Sequence, residues 1–260
     1  MTRADAHVHL STHHPFSAAL DDGGEVEAYL RMREAAGISH SLVIGYERDV
    51  HAGNNDDIRR IARTVDGLHT TAFLETRGRP DPRALGDALA DGHVGWSIYL
   101  DADGLDHWNA SDLAALGALT DGLVSVNAAS DDAPRLREFA DACGDVPILV
   151  SHLGLPGSRP IESALGPLTE LADDPRLHVK VSGLYAIDRR PDHPAARGAV
   201  ERVARDFGAE RMLWGSDFSP VLDSGADPVA LPSWLADVLG ADLDRVLGSN
   251  LLGLLGVASQ

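Results

Sequence analysis

Eight short β-rich runs, each followed by a stretch of helical periodicity, constrain this chain more than any other feature. The runs are residues 5–10 (DAHVHL), 40–45 (HSLVIG), 68–74 (LHTTAFL), 94–100 (VGWSIYL), 123–127 (LVSVN), 146–152 (VPILVSH), 177–183 (LHVKVSG) and 211–217 (RMLWGSD). Between them, apolar residues recur at helical spacing: Val26, Tyr29 and Leu30 before a stop at Gly37, then Ile58, Ile61, Ala62 and Val65. Asp81 reads as an N-cap ahead of Pro82, and later helices are expected to start near Ser111, Asp132, Pro160, Pro194 and Pro228. Alternating βα units predict a parallel sheet covered by helices, and eight of them predict closure into a TIM-type (β/α)8 barrel. An open doubly wound sheet is the alternative, but no Gly-x-Gly-x-x-Gly follows the first run, where a dinucleotide site needs one. The tail at 242–257, DLDRVLGSNLLGLLGV, predicts an extra C-terminal helix, and with no linker or low-complexity segment residues 1–260 read as one barrel domain.

Charge and composition then narrow the partners. A formal net charge of −18 over 260 residues argues against nucleic acid or an anionic membrane as partner, because both attract basic surfaces. A small-molecule substrate fits better, with homo-oligomerisation left open. The chain has no apolar run of about 18 residues, and the start MTRADAHVHL lacks the apolar core of a signal peptide, so the expected location is cytoplasmic. The single cysteine, Cys143, rules out an intramolecular disulfide and a cysteine-rich zinc cluster. Of the 22 basic residues all but Lys180 are arginine, which singles out that one lysine inside a predicted strand.

The polar residues of the strands fall in a pattern. In the first run Asp5, His7 and His9 are two apart, so an extended chain presents them on one face with Ala6 and Val8 on the other. Two imidazoles placed that way share one metal ion or one reacting group. Barrels gather their reactive groups at the C-terminal ends of the strands. His7 and His9 end strand one, His152 ends strand six on the face of Ile148 and Val150, Lys180 and Ser182 lie in strand seven, and Asp217 ends strand eight. Taken singly, each is an ordinary structural residue. Together they are harder to explain that way, since an inward charge or imidazole costs several kcal/mol without a partner or a metal. Arg77 and Arg79 after strand three, and Arg189 and Arg190 after strand seven, lie on the correct face for an anionic substrate. His13, His14 and Phe16 after strand one, with His107 and Trp108 after strand four, are candidates for the pocket wall.

The stretches DAHVHL, HAGNNDDI (51–58), SHLGLPG (151–157), VKVSGLY (179–185), WGSDFSP (214–220) and the closing VLGSNLLGLLG resemble, in this order, the amidohydrolase-related hydrolases of the amidohydrolase superfamily. Within it they are similar to the branch holding sugar lactonases and 2-pyrone-4,6-dicarboxylate lactonase. The resemblance implies a distorted (β/α)8 barrel in which His7, His9, His152 and Asp217 form the catalytic constellation, with His51, Ser182 and Tyr185 among the substrate-binding residues. Binuclear members bridge two metals with a carbamoylated lysine or a glutamate from mid-barrel strands, yet strands four and five here carry neither lysine nor acid. The expectation is one divalent ion, zinc, on His7, His9, His152 and Asp217 with an open position for water. The branch also includes enzymes that work without metal, so the ion is expected to be dispensable in that case.

The chemistry so implied is hydrolysis of a lactone or similar cyclic ester or amide of a small polar or anionic molecule. Asp217, ionised at neutral pH by its cationic or metal-bound neighbours, activates water; His152 and the other histidines polarise the carbonyl; Lys180 binds the carbonyl or a substrate carboxylate. One departure is the fourth strand, VGWSIYLDA, which has Trp96 and Ser97 where the branch often carries an arginine, and this points to a specialised substrate. The alternatives are a metal-dependent non-oxidative decarboxylase of the same family, against which Lys180 and His178 stand where another histidine is usual, and a barrel that binds without catalysis.

Overall fold

The computed structural model of the chain describes residues 3–48, 51–77, 82–100, 108, 111–112 and 122–257. The expectations at Arg79, Asp81 and His107, and the helix from Ser111 past its first two residues, lie outside these. Each of the eight β-rich runs carries a strand: β1 (Arg3–Val8), β2 (Ile38–Ile44), β3 (Leu68–Phe73), β4 (Gly95–Leu100), β5 (Leu123–Ala128), β6 (Ile148–Val150), β7 (Leu177–Val181) and β8 (Met212–Trp214). They pair in sequence order, parallel throughout. The ring closes where Val8 bridges Phe218 in the loop after β8, with His9 N donating to Phe218 O at 2.5 Å. This is a TIM-type (β/α)8 barrel.

Strand alternation divides the apolar residues into two layers. Val124, Val126, Val150, Val179, Val181 and Trp214 face outward and pack with Phe139 and Phe207 of the covering helices. Leu42, Ile44, Leu123, Leu149 and Leu213 form a separate cluster inside. Both sides of a parallel strand are therefore dry, which is why these runs read as almost continuous Val, Ile and Leu. The C-terminal segments Arg245–Ser249 and Asn250–Leu254 pack against β1 and β8, and Leu251 and Leu252 join the inner cluster. Asn250 Nδ2 anchors this tail on the carbonyls of Ala209 (2.8 Å) and Met212 (2.7 Å).

Of the helices, α1 (Glu25–Ala35) and α2 (Asn54–Ala62) follow β1 and β2 and bear on the site below. The helix expected from Pro228 begins instead at Leu235. A helix from Pro228 would hold Pro232 in its interior, where the ring blocks the preceding turn; the segment forms a turn on Asp227, whose Oδ1 accepts from Val229 N. Among the described residues no helix is long and apolar enough to cross a membrane.

Candidate active site

His7, His9, His152 and Asp217 meet at the C-terminal mouth of the barrel. The imidazoles of His7 and His9 stand edge to face, 5.0 Å between centroids, with their Nε2 atoms 3.1 Å apart. His9 turns Nδ1 to the carbonyl of Ile44 at 3.2 Å, which leaves Nε2 as its lone-pair nitrogen. Asp217 places Oδ1 3.7 Å from His7 Nε2. Ligand atoms of His7, His9 and Asp217 lie within 4.8 Å of one another, all three residues buried, and this is the one group among the described residues that suits a metal ion. The His152 ring lies 4.5 Å from His7, tilted by 60° against it, its Nδ1 shared with Ser182 Oγ (3.1 Å) and 3.8 Å from Asp217 Oδ2. It stands beside the three-residue group, outside it.

Two of these positions are not reached by strand alternation. β6 stops at Val150, Ser151 is extended, and His152 turns with φ 54°; β8 stops at Trp214, and Asp217 turns with φ 58°. Ile148 and Val150 face outward while His152 reaches the mouth, so the left-handed turn replaces the face-sharing expected of one continuous strand. Neighbouring glycines make room. A Cβ on Gly183 would sit 2.6 Å from His152 Nδ1, and one on Gly215 2.7 Å from His7 Cβ.

Asp5 does not join the histidines. Its carboxylate accepts from the backbone N of His7 (3.2 Å) and of Ser216 (2.9 Å) and from Tyr29 Oη (3.3 Å), so it fixes backbone under the β8 loop. Burial pushes its carboxyl up to about 6 against these hydrogen bonds.

Lys180 is fully buried. Its Nζ donates to Ser125 Oγ at 2.6 Å and lies 3.2 Å from His7 Nδ1, behind the imidazole, so it touches His7 and no carboxylate. Burial pulls the amine down to about 7, opposed by the charges of Asp217 and Asp5. The same burial, with the Lys180 charge adding, holds His7 well below the usual imidazole range and His152 down to about 3. His9 falls to about 4, again mainly by burial. At neutral pH all three imidazoles are uncharged, the form that ligates a metal or accepts a proton. Asp217 is pushed up to about 6 by burial, with His9, the Tyr185 hydrogen bond and Lys180 drawing it back. The expected anion at pH 7 stands, though burial and not the neighbours sets its level. Tyr185 Oη donates to Asp217 Oδ2 at 2.8 Å, and burial raises the phenol so far that it stays a donor.

The mouth is walled by rings. Phe16 stacks on His51 at 3.8 Å, 9° from parallel, and lies 4.9 Å from His9. Tyr46 packs against Phe73 (5.4 Å) and Tyr99 (5.2 Å), and Arg48 lies over both of those rings. Arg48 is buried and bidentate on Glu75, at 3.0 and 2.7 Å. Sequence reading passed over Tyr46, Arg48 and Tyr99. Tyr46 and Arg48 follow β2 as directly as Arg77 follows β3, so the rule that reactive groups follow strands would have found them. Arg77 is exposed. Arg189 is exposed too, and lines a groove of about 360 Å³ between residues 189–193 and 224–232 that includes none of His7, His9, His152 or Asp217. His14 is exposed beside Asp22, and Trp108 is buried in the outer apolar layer instead of the pocket wall.

Comparison with known proteins fits this geometry. The sequence profile of the family described as Amidohydrolase matches residues 4–250. An L-fucono-1,5-lactonase of Burkholderia ambifaria is 33% identical over 128 residues, 45% of this chain and 44% of that protein, so the match spans less than half of the lactonase. Among solved structures, a protein of Pseudomonas putida assigned as 2-pyrone-4,6-dicarboxylic acid hydrolase superposes with a TM-score of 0.79 at 22% identity, over 100% of this chain and 99% of that one. An amidohydrolase of Burkholderia multivorans with bound zinc superposes at 0.78 and 18% identity, over 99% and 100%.

Two variants probe the site directly. Tyr185→Phe removes the hydrogen bond that favours the Asp217 anion, so the carboxyl rises further above about 6; with that anion as the proposed base, the acidic limb of the kcat/KM profile is expected to move to higher pH, with the rate at pH 6 falling more than the rate at pH 8. Lys180→Met exchanges a buried amine for an apolar chain of similar size. Its melting temperature is expected to hold or rise, while loss of the His7 partner lowers turnover roughly 10- to 100-fold; wild-type kinetics would refute the role.

Proposed function

From the premise that this chain belongs to the amidohydrolase family, we propose that it is a hydrolase that opens a lactone or similar cyclic ester or amide of a small polar or anionic molecule by attack of an activated water. The observation that carries the reading is the convergence of His7, His9 and Asp217 within 4.8 Å at the barrel mouth, with Asp217 held by Tyr185. The names of the relatives support it: one is named for a sugar lactone and the other for a pyrone, both cyclic esters.

In this reaction Asp217 accepts a proton from water as the oxygen bonds to the acyl carbon. The uncharged imidazole of His152, oriented by Ser182, faces the carbonyl oxygen and stabilises the charge that develops there. When the ring C–O bond breaks, the leaving oxygen takes the proton back from Asp217, and a hydroxy acid departs. Lys180 acts through His7, which it supports from behind. The rings of Phe16, His51 and Tyr46 pack on the substrate ring, and Arg48, steadied by Glu75, and Arg77 supply cationic contact at the rim; Arg79 and Arg189 are further candidates for it. A single divalent ion, zinc in our reading, would sit on His7, His9 and Asp217, where the fixed His9 tautomer suits ligation; when bound it supplies Lewis-acid polarisation and a more acidic water. The residues alone retain a base and a neutral polarising imidazole, so we hold the ion dispensable in principle.

Asp217→Asn keeps the shape and removes the basicity. Against a panel of sugar and dicarboxylate lactones, the fall is expected in kcat and to be about 10²- to 10⁴-fold, with the acidic limb lost; a variant that keeps its rate refutes the mechanism, and release of CO2 by the wild type would point to decarboxylation. Elemental analysis of purified protein is expected to find at most one zinc per chain. Two equivalents would contradict the single site, and full activity at zero would place the chain with the metal-independent hydrolases.

A further inference from the structure

Two buried carboxylates outside the reacting group fasten the loop that follows β1. Asp57, on α2, accepts from Thr12 N and from Thr12 Oγ1, each at 2.6 Å. Glu25, the first residue of α1, is fully buried. Its Oε1 accepts from Phe16 N at 2.8 Å and from the hydroxyl of Ser219, while Oε2 meets no hydrogen-bond partner among the described residues. Phe16 is the ring beside His9, and Ser219 stands two residues beyond Asp217. One carboxyl group thus joins the loops on the two sides of the barrel seam.

We propose that Glu25 is a positioning residue: by tying Phe16 to Ser219 it sets the aromatic wall beside His9 against the loop that presents Asp217. Its kinetic consequence rests on the hydrolase reading above; the tie itself does not. A helix N-terminus favours an acid, but that effect is satisfied at the surface, as by Glu27 of the same turn, and needs no burial. Burial here is costly. It pushes the Glu25 carboxyl up to about 7, with the hydrogen bonds from Ser219 and Phe16 opposing and the charge of Asp57 adding. Packing alone would be better served by an apolar side chain, whereas joining two backbone segments needs an acceptor held between them. Ser17 Oγ donates to Asp223 Oδ1 at 2.7 Å and links the same two loops farther out. Loss of Glu25 therefore loosens the seam without detaching it.

The test uses the full chain with Glu25→Ala, Glu25→Gln and Ser219→Ala, read first by amide hydrogen exchange. Glu25→Ala is expected to speed exchange about tenfold or more in residues 11–17 and 216–221 and to leave the 123–128 strand unchanged, because local opening is set by local contacts. Glu25→Gln, which keeps an acceptor for Phe16 N, is expected to match wild type within about twofold by the same reasoning. Ser219→Ala cuts the tie without touching α1, and should loosen 216–221 even if Glu25→Ala fails to fold. On a lactone that the wild type opens, Glu25→Ala should lose roughly 10- to 100-fold in kcat/KM, the scale of a small misplacement, with Gln recovering most of it. Unchanged loop exchange in Ala and Ser219→Ala, or acceleration spread over the whole chain, overturns the tie whatever the substrate. Loosened loops with undiminished turnover overturn the positioning role. If the wild type opens no lactone, the hydrolase reading fails, and the exchange data still decide the tie.

Discussion

The seam between β1 and the loop after β8 is the constraint on which the site depends. β8 is three residues long, so the last contact of the ring is made by irregular backbone: Ser216 N to Asp5, Asp217 N to His7 O at 3.0 Å, and His9 N to Phe218 O. Each bond joins a residue of the DAHVHL stretch to one within two positions of Asp217. The distance between the histidine pair and the carboxylate is thereby fixed by hydrogen bonds that hold the backbone itself, two of them between backbone groups and one to the Asp5 carboxylate. Asp5 is part of this seam, and that explains why an acid at the start of the motif takes no place among the ligand atoms.

Packing polar groups into such a seam sets their charge states. Three imidazoles and one amine share a buried volume, and the cheapest arrangement leaves the imidazoles neutral. Lys180 contributes twice, as a partner for His7 Nδ1 and as a positive charge that discourages protonation of His7 and His152. Asp217 survives as an anion near neutrality because Tyr185 donates to it and Lys180 stands close by. Remove either support and burial alone would drive it toward the acid form. Charge and burial are thus balanced within the same few ångströms.

The barrel was legible in the sequence because period-two and helical patterns alternate eight times and each strand is dry on both sides. His7 and His9 were legible as a pair two apart in or just beyond β1, although the register of β1 against β2 shifts between Asp5 and Val8, and Asp5 does not share their site. His152 and Asp217 were found only as polar residues at strand ends; the turn that aims each one inward left no periodic trace beyond the glycines 154, 183 and 215 near them. Glu25 is an ordinary charged residue in sequence, and only the fold shows that it is buried between two loops; Arg48, just after β2, was within reach of the strand-end rule, but its seat over two rings was not. The proline rule misjudged the helix at Pro228 by ignoring Pro232 four residues on.

Backbone strain at the mouth is the remaining clue to what the site is for. Among the described residues, six non-glycine residues have left-handed φ, and four of them, His152, Leu153, Leu155 and Asp217, belong to the two loops that carry the candidate catalytic groups. Such residues cost about 1–3 kcal/mol each and persist where the surroundings overdetermine them. Aspartate and histidine tolerate this region better than most, which lowers the cost without removing it. Glycine would relieve the strain at 152 and 217 outright, and at both it would erase the one functional group that the turn serves to aim. A fold selected for stability alone has no reason to keep a buried carboxylate and a buried imidazole there. Stability given up at these two positions is what the chemistry proposed for them would account for, and the rigid ring of strands beneath is what makes the loss tolerable.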